Sequence, residues 1–214
     1  MQRILIADDH PMFATALTMA AHSADPTILV DAAATLADAE ATARAHSHDL
    51  ILLDLMLPDV QGFAGLAMLR AMRPATPIAI VTSRDEPAIV HQAVKLGARG
   101  FLSKATPIEG MVGAIRVLLA GGQWLPDGAM ADPVDSDPRA ARIGELSVAQ
   151  LKVLRAIASG RQNKQIAYDL GIAEPTVKSH LAAIFRKIGV SNRTQAVLLL
   201  KSFDPVPTDQ PGSV

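Results

Sequence analysis

Short aliphatic runs alternate with longer segments of helical periodicity over the first 120 residues. Such runs are typical of strands that are buried on both faces of a sheet, and the alanine-rich segments between them favour helices. Because strand and helix alternate five times, the pattern predicts a doubly wound α/β domain with a five-stranded parallel sheet. The predicted strands are 3–7, 27–30, 49–55, 77–82 and 99–103, and the predicted helices are 12–21, 36–45, 62–72, 87–96 and 107–120.

The pattern changes twice after the fifth predicted helix. Residues 123–144 contain three prolines and four aspartates without periodicity, which predicts a flexible linker in which Trp124 packs back onto the first domain. Residues 145–203 have apolar residues at helical spacing and predict an all-α domain of four helices, at 149–159, 163–170, 174–188 and 192–201. Gly171 makes a tight turn between the second and third of them, an arrangement typical of a helix-turn-helix. The tail, 204–214, is predicted to be disordered.

Composition and charge narrow the class of protein. The chain has 214 residues, half of them apolar, and no cysteine, which excludes disulfides and cysteine chemistry and fits a reducing compartment. No apolar run reaches membrane-spanning length and no signal peptide is evident, so we expect a cytoplasmic protein. Residues 145–203 hold nine Lys and Arg against three Asp and Glu, whereas residues 1–122 hold nine against twelve. This asymmetry predicts an anionic partner for the C-terminal domain.

Polar side chains stand where the predicted strands end, namely Asp8, Asp9, Asp54, Thr82 and Lys104. Because the carboxyl ends of parallel strands share one edge, these groups should lie together. Three carboxylates repel one another and require a cation, and Mg²⁺ prefers such ligands. Together with an ammonium and a hydroxyl, a metal can neutralise a phosphoryl group on a carboxylate oxygen. The sequence therefore predicts a site that forms and senses an aspartyl phosphate.

Each of these residues has a simpler explanation when it is taken alone. Asp8 and Asp9 could cap a strand-to-helix turn, and Thr82 could be a β-prone residue near a strand end. Lys104 could be a solvated surface charge, and Phe101 a core residue. Only their ordered combination at one edge of the sheet favours an active site. Three histidines show no partner spacing and are predicted to lie on the surface: His46, His48 and His91.

Residues 1–122 resemble the flavodoxin-like receiver domain of bacterial response regulators. The matching motifs are Ile6-Ala7-Asp8-Asp9-His10, Leu53-Asp54-Leu55-Met56-Leu57-Pro58, Val81-Thr82-Ser83 and Gly100-Phe101-Leu102-Ser103-Lys104. The resemblance implies that Asp54 accepts a phosphoryl group from a histidine kinase. Ser103 departs from the pattern, since a large aliphatic residue is more usual there.

The same resemblance implies roles for the residues around Asp54. Asp9, Asp54 and the backbone carbonyl of Met56 would bind Mg²⁺ directly, and Asp8 would bind it through water. Three further residues would contact the phosphate or carry the switch: Lys104 as the phosphate-contacting lysine, Thr82 as the switch hydroxyl and Phe101 as the aromatic that turns inward on activation.

Residues 145–203 resemble the LuxR/NarL-type DNA-binding domain. The matching motifs are Asn163-Lys164-Gln165-Ile166-Ala167, Leu170-Gly171-Ile172, Thr176-Val177-Lys178-Ser179-His180, Arg186-Lys187-Ile188-Gly189-Val190 and Asn192-Arg193-Thr194-Gln195-Ala196. The resemblance implies that Lys178, Ser179 and Ala182 face base edges in the major groove. It also implies phosphate contacts from Asn163, Lys164, Thr176, Lys187 and Arg193, although each lysine alone could be a solvated charge.

The C-terminal domain departs from the usual LuxR/NarL-type sequence at two places, and the role of its fourth helix is open. Ser147-Val148-Ala149-Gln150 stands where Thr-Pro-Arg-Glu is usual, and Ala173 replaces the usual capping Ser. The fourth helix could form a dimer face through Ala196, Val197, Leu199 and Leu200, or it could simply pack onto the other three helices.

The two resemblances together imply a transcriptional response regulator that is not an enzyme. It would bind double-stranded DNA as a homodimer, when phosphorylated or on DNA, and would not bind membranes. A phosphatase-like hydrolase would favour a second Asp at position 56, where the chain has Met56. A DNA-binding regulator with a relic receiver is disfavoured because the acidic and phosphate-contacting positions are complete.

Overall fold

The computed structural model describes residues 1–126, 142–143 and 146–203. The N-terminal domain is a parallel sheet of five strands in the order β2-β1-β3-β6-β7, with a small antiparallel hairpin, β4-β5, after β3. The predicted fold class is therefore confirmed. The strands are β1 (Arg3–Ala7), β2 (Leu29–Ala33), β3 (Leu50–Leu53), β4 (Met56–Leu57), β5 (Val60–Gln61), β6 (Ile78–Thr82) and β7 (Gly100–Ser103).

Five helices cover the two faces of this sheet. They are α1 (Pro11–Ala24), α2 (Leu36–Ala45), α3 (Ala64–Met72), α4 (Pro87–Lys95) and α5 (Ile108–Leu119). Alternate strand residues face opposite sides, so Leu5 and Ile51 pack with α2, α3 and α4, whereas Ile4 and Leu52 pack with α1 and α5. All four side chains are buried, which explains why these strands consist of continuous apolar runs.

The second strand lies further along the chain than the pattern predicts. Thr27 belongs to a turn, where its backbone N–H and its hydroxyl both donate to Asp25 Oδ1 at 2.8 Å. The strand then runs through Asp31, whose Oδ2 accepts a hydrogen bond from Arg3 at 3.2 Å and lies 2.8 Å from His48 Nε2. His48 is thus buried, and the prediction that it lies on the surface is wrong because nothing in its own segment indicates its partner, Asp31. His91 is partly buried, and His46 is exposed as predicted.

Trp124 packs back onto the N-terminal domain, as predicted. Its backbone pairs with β7, since the Phe101 N–H donates to the Trp124 oxygen at 2.7 Å and the Trp124 N–H donates to Arg99 at 3.1 Å. Its indole reaches the glycine face of α5 at Gly113. The N-terminal domain therefore includes the first residues of the predicted linker. The remaining linker residues, apart from 142–143, and the tail at 204–214 lie outside the described residues.

Four helices form the C-terminal domain: α6 (Val148–Ala158), α7 (Asn163–Leu170), α8 (Glu174–Ile188) and α9 (Arg193–Phe203). Both α6 and α7 pack against α8, and α6 also packs against α3 of the N-terminal domain. Ala196 and Leu199 of α9 are buried in this core, whereas Leu198 is 61% exposed. Within the described residues, no helix is long and apolar enough to cross a membrane.

Candidate functional site

The register of the sheet brings the predicted site residues to one edge. Ala7 pairs with Leu53, so that Asp8 and Asp54 leave β1 and β3 side by side. The main-chain ladder continues past the strands, because Asp54 N–H donates to Ala7 at 2.9 Å and Lys104 N–H donates to Thr82 at 2.8 Å. Four separate strands therefore deliver the predicted carboxylates, hydroxyl and ammonium to the same place.

Lys104 places its ammonium between two buried carboxylates. Its Nζ lies 2.7 Å from Asp54 Oδ2 and 2.7 Å from Asp8 Oδ2. Burial lowers the pKa of Lys104, but the hydrogen bonds and charges of Asp54 and Asp8 outweigh this effect and hold the pKa above its ordinary value. The ammonium therefore stays charged and can neutralise negative charge that is added at Asp54.

An acidic pocket beside Lys104 fits a divalent metal ion. Ligand atoms of Asp8, Asp9, His10 and Asp54 all lie within 4.8 Å of one another. Asp8 Oδ2 and Asp9 Oδ1 are buried without a well-aligned hydrogen bond, although Lys104 and His10 nitrogens lie 2.7 and 2.8 Å from them. Carboxylate oxygens with spare capacity are the ligands that hard cations such as Mg²⁺ prefer.

The other predicted receiver residues lie on β6, β7 and the hairpin after β3. Thr82 is fully buried, and its hydroxyl accepts a hydrogen bond from the Arg84 N–H at 3.3 Å. Phe101 is 2% exposed within β7. Met56 lies in the hairpin after β3, and its N–H donates to Asp54 Oδ1 at 3.1 Å. The Asp54 carboxylate is thus held on one side by Lys104 and on the other by the hairpin backbone.

Two residues at the site had no predicted role. His10 donates its backbone N–H to Asp8 Oδ1 at 2.8 Å, and its Nδ1 lies 2.8 Å from Asp9 Oδ1. Phe13 lies beneath Lys104, with Nζ 4.9 Å from the ring centroid, a distance suited to a cation–π interaction. The position of His10 directly after Asp9 could have indicated its involvement. The contact between Phe13 and Lys104 depends on the path of α1, so the sequence around Phe13 does not indicate it.

The helices of the C-terminal domain differ in how their ends are capped. Ser147 and Gln150 form a capping box at the start of α6, so the departure from the usual Thr-Pro-Arg-Glu keeps its capping function. Gly171 ends α7 with a φ of 63°, a left-handed conformation that favours glycine. Ala173 precedes α8 without a side-chain cap, consistent with the replacement of Ser.

The third helix of the domain presents its predicted base-reading residues to solvent. Lys178, Ser179 and Ala182 are exposed, while Val177 and Leu181 face the core. Lys178 lies 3.0 Å from Glu174 one turn earlier, and the Ser179 hydroxyl donates to the Pro175 carbonyl at 3.1 Å. The polar face of α8 is therefore free to enter a groove of DNA.

The five predicted phosphate contacts differ in their surroundings. Thr176 and Lys164 are exposed, whereas Lys187 and Asn163 are partly buried. The Arg193 guanidinium donates to the Arg161 carbonyl and lies 3.5 Å from Asn163 Oδ1. Arg193 thus joins α9 to the start of α7, and a guanidinium with five donors can still reach a phosphate.

An α/β sheet with an acidic pocket, joined to a helix-turn-helix, defines a signalling protein that couples a receiver to a DNA-binding domain. Residues 4–116 match the model of the response regulator receiver domain, and residues 145–200 match bacterial regulatory proteins of the luxR family. The chain belongs to the response regulators that carry a luxR-family DNA-binding domain, a family of transcriptional regulators rather than enzymes.

Similar proteins span almost the whole chain. The glycerol metabolism activator of Pseudomonas putida is 40% identical, with 95% of this chain and 97% of the relative covered. The probable transcriptional regulatory protein NarL of Mycobacterium tuberculosis (strain H37Rv) is 33% identical, with 91% of each covered. A structure of the RcsB–DNA complex has a TM-score of 0.55 at 21% identity, with 94% of this chain and 98% of that chain covered, and shows the shared fold.

Proposed function

We propose that Asp54 accepts a phosphoryl group from the phosphohistidine of a partner histidine kinase. A carboxylate oxygen of Asp54 forms the bond to phosphorus, and the bond from phosphorus to the imidazole nitrogen breaks. That nitrogen keeps the electron pair, so that a ring protonated on its other nitrogen leaves as neutral imidazole. The observation that carries this proposal is the placement of Asp54 between Lys104 and the acidic pocket. Negative charge that develops on the transferred group would be stabilised there by the ammonium of Lys104.

The residues around Asp54 take the roles that their positions suit. Asp9, Asp54 and the Met56 carbonyl would hold Mg²⁺ directly, with Asp8 acting through water, and the bound ion would supply positive charge to the phosphoryl oxygens. Lys104 would contact the phosphate. Two buried residues would carry the switch: the hydroxyl of Thr82 and the ring of Phe101.

We further propose that the C-terminal domain binds double-stranded DNA through α8. Lys178, Ser179 and Ala182 would face base edges, and Ala182 offers only apolar contact, for example with a thymine methyl. The phosphates would be contacted by Asn163, Lys164, Thr176, Lys187 and Arg193, which position the domain without specifying sequence. A regulator of this kind acts where the chromosome is, in the cytoplasm.

The proposed assembly on DNA is a homodimer. The solved RcsB structures include two RcsB dimers bound to two parallel DNAs. In this chain the buried Ala196 and Leu199 hold α9 to its own domain, and Leu198, which is 61% exposed, is an apolar residue of α9 that a second copy can reach. Two domains related by a two-fold axis would read two half-sites.

Acetyl phosphate tests the phosphoacceptor directly, because it donates a phosphoryl group without a kinase. Wild-type protein with Mg²⁺ should gain one phosphoryl group by intact-mass measurement, and hydroxylamine should remove it, as expected for an acyl phosphate. Asp54→Ala should gain none, whereas Asp85→Ala, at an exposed carboxylate after β6, should behave as wild type. Equal labelling of Asp54→Ala would overturn the assignment.

A further inference from the structure

Asp59 lies in the turn of the β4-β5 hairpin, five residues after Asp54, and caps a neighbouring helix. Its carboxylate accepts hydrogen bonds from the Leu36 N–H at 2.8 Å and the Ala37 N–H at 3.0 Å. These are the first N–H groups of α2, which have no partner within their own helix. The loop after the proposed phosphoacceptor is thereby fastened to α2.

The same residue also binds the DNA-binding domain. The Arg155 guanidinium, on α6, donates to the main-chain oxygen of Asp59 and lies 3.3 Å from its Oδ2. The two side chains are only 29% and 26% exposed. Burial raises the pKa of Asp59, but the two N–H donors of α2 and the Arg155 guanidinium outweigh it and hold the pKa below its ordinary value.

Further contacts continue this interface on both sides of Arg155. Helix α3 packs against α6, and residues of both domains line two cavities there, with Phe63 and Leu154 at one and Arg70 and Ser147 at the other. Lys152 lies 3.9 Å from the buried carboxylate of Glu40 on α2. A cavity of about 340 Å³ remains between the apolar side chains of the two domains. An interface with such a gap is less tightly packed than a protein core.

This docking leaves α8, the helix that carries the predicted base-reading residues, accessible to DNA. Lys178, Ser179 and Ala182 remain exposed while α6 lies on α3. A receiver that holds the domain by α6 therefore does not act by covering the base-reading face. What it fixes is the position and orientation of α8 relative to the receiver, and hence to a second copy.

We propose that Arg155 and Asp59 form a clamp that seats the DNA-binding domain on the receiver, and that phosphorylation loosens it. The coupling half of this inference rests on the proposed phosphorylation of Asp54. A phosphoryl group adds roughly −1.5 to −2 charges and three acceptor oxygens where the hairpin begins. Because Met56 donates its N–H to the Asp54 carboxylate, a change there is passed to the hairpin that holds Asp59.

The absence of cysteine allows the clamp to be tested with two site-specific spin labels. Met19→Cys on α1 and Tyr168→Cys on α7 are suitable sites, since both side chains are exposed, at 57% and 88%. Pulsed electron paramagnetic resonance should give one narrow distance distribution for the otherwise unaltered, unphosphorylated protein. Arg155→Gln should lose that narrow distribution and give a broad one. An unchanged distribution in Arg155→Gln, with circular dichroism confirming its folding, would overturn the clamp.

A matched arginine variant and a phosphorylated sample complete the test. Arg116→Gln removes a guanidinium that donates to the Ser23 carbonyl at 3.1 Å within the receiver, and it should keep the narrow distribution. Acetyl phosphate should broaden the distribution of the doubly labelled parent but not that of its Asp54→Ala variant. Full phosphorylation by mass with an unchanged distance would overturn the coupling while leaving the proposed function intact. Absence of phosphorylation would instead overturn the proposed function and the coupling with it, and the Arg155→Gln result would still decide the clamp.

Discussion

Lys104 Nζ lies 2.7 Å from Asp54 Oδ2, although fifty residues separate them in the chain. The sheet creates this contact, because β3 and β7 flank β6 and all three end at the same edge. The same ammonium lies 2.7 Å from Asp8, so two buried carboxylates share one cation. In this arrangement the acidic pocket already contains a positive charge beside Asp54, and this charge could partly neutralise a phosphoryl group there.

Removing that charge should destabilise the metal-free protein. In Lys104→Gln, Asp8 and Asp54 stay buried without a cation, so the free energy of unfolding should fall by about 3 kcal/mol. Urea unfolding with a chelator measures the loss. Added Mg²⁺ should recover part of it, since a ligand that binds only the folded state stabilises that state. Lys104→Arg retains the charge and should lose less; equal losses in the two variants would contradict this explanation.

Asp59 should contribute to stability in a pH-dependent way. Its pKa in the folded protein is lowered, so its contribution is complete above the ordinary carboxyl pKa of about 3.9 and is lost as the pH falls through the lowered value. Between about pH 6 and pH 3, wild type should therefore lose more free energy of unfolding than Asp59→Asn, which has no carboxyl group to protonate. Urea unfolding at several pH values checks this, and parallel curves for the two proteins would refute it.

A serine at position 173 should supply the side-chain N-cap that α8 lacks. Ala173 has the extended backbone of an N-cap residue but offers no side-chain acceptor to the first turn of α8. Ala173→Ser should raise the free energy of unfolding of the C-terminal domain by about 1 kcal/mol. Thermal unfolding followed by circular dichroism measures the gain. Ala173→Val serves as the control without a side-chain acceptor, because Val is as poor an N-cap residue as Ala, and a gain of the same size there would show that the hydroxyl is not responsible.

Two exposed lysines should affect DNA binding in different ways. Lys164→Ala should weaken binding to all sequences alike and reduce the slope of log affinity against log salt by about 1, as expected for one phosphate contact. Lys178→Ala should cost roughly 1–3 kcal/mol on a preferred site and relax the choice of base. Sequence selection from random DNA, followed by salt titrations, distinguishes them. The same sequence preference in wild type and Lys178→Ala would remove Lys178 from the base-reading face.

The sequence predicts the receiver site well because its residues follow strands whose pattern is unambiguous. Asp8, Asp54 and Lys104 each end an apolar run, and parallel strands can deliver such residues only to one edge. The four helices of the second domain were equally predictable, since their apolar spacing and their glycine ends agree. Local patterns sufficed wherever a residue's environment was set by its own strand or helix.

Contacts between distant segments were not predictable in this way. Arg155 and Asp59 lie 96 residues apart, and each has an ordinary local explanation, as a helix surface charge and a turn residue. The sequence places His48 on the surface because nothing in its own segment indicates its partner, Asp31, which lies on β2. Such pairs depend on how whole elements pack, which the spacing of residues within one segment does not reveal.

A phosphoryl group on Asp54 should control DNA binding by this protein. The most direct measurement is the affinity of the full chain for its selected DNA site, with and without acetyl phosphate and Mg²⁺, in wild type and Asp54→Ala. Phosphorylated wild type should bind more tightly by roughly 5- to 150-fold, a typical range for coupled sites, and Asp54→Ala should not respond. The same affinity for phosphorylated and unphosphorylated wild type would show that phosphorylation does not control DNA binding, and it would favour a relic receiver.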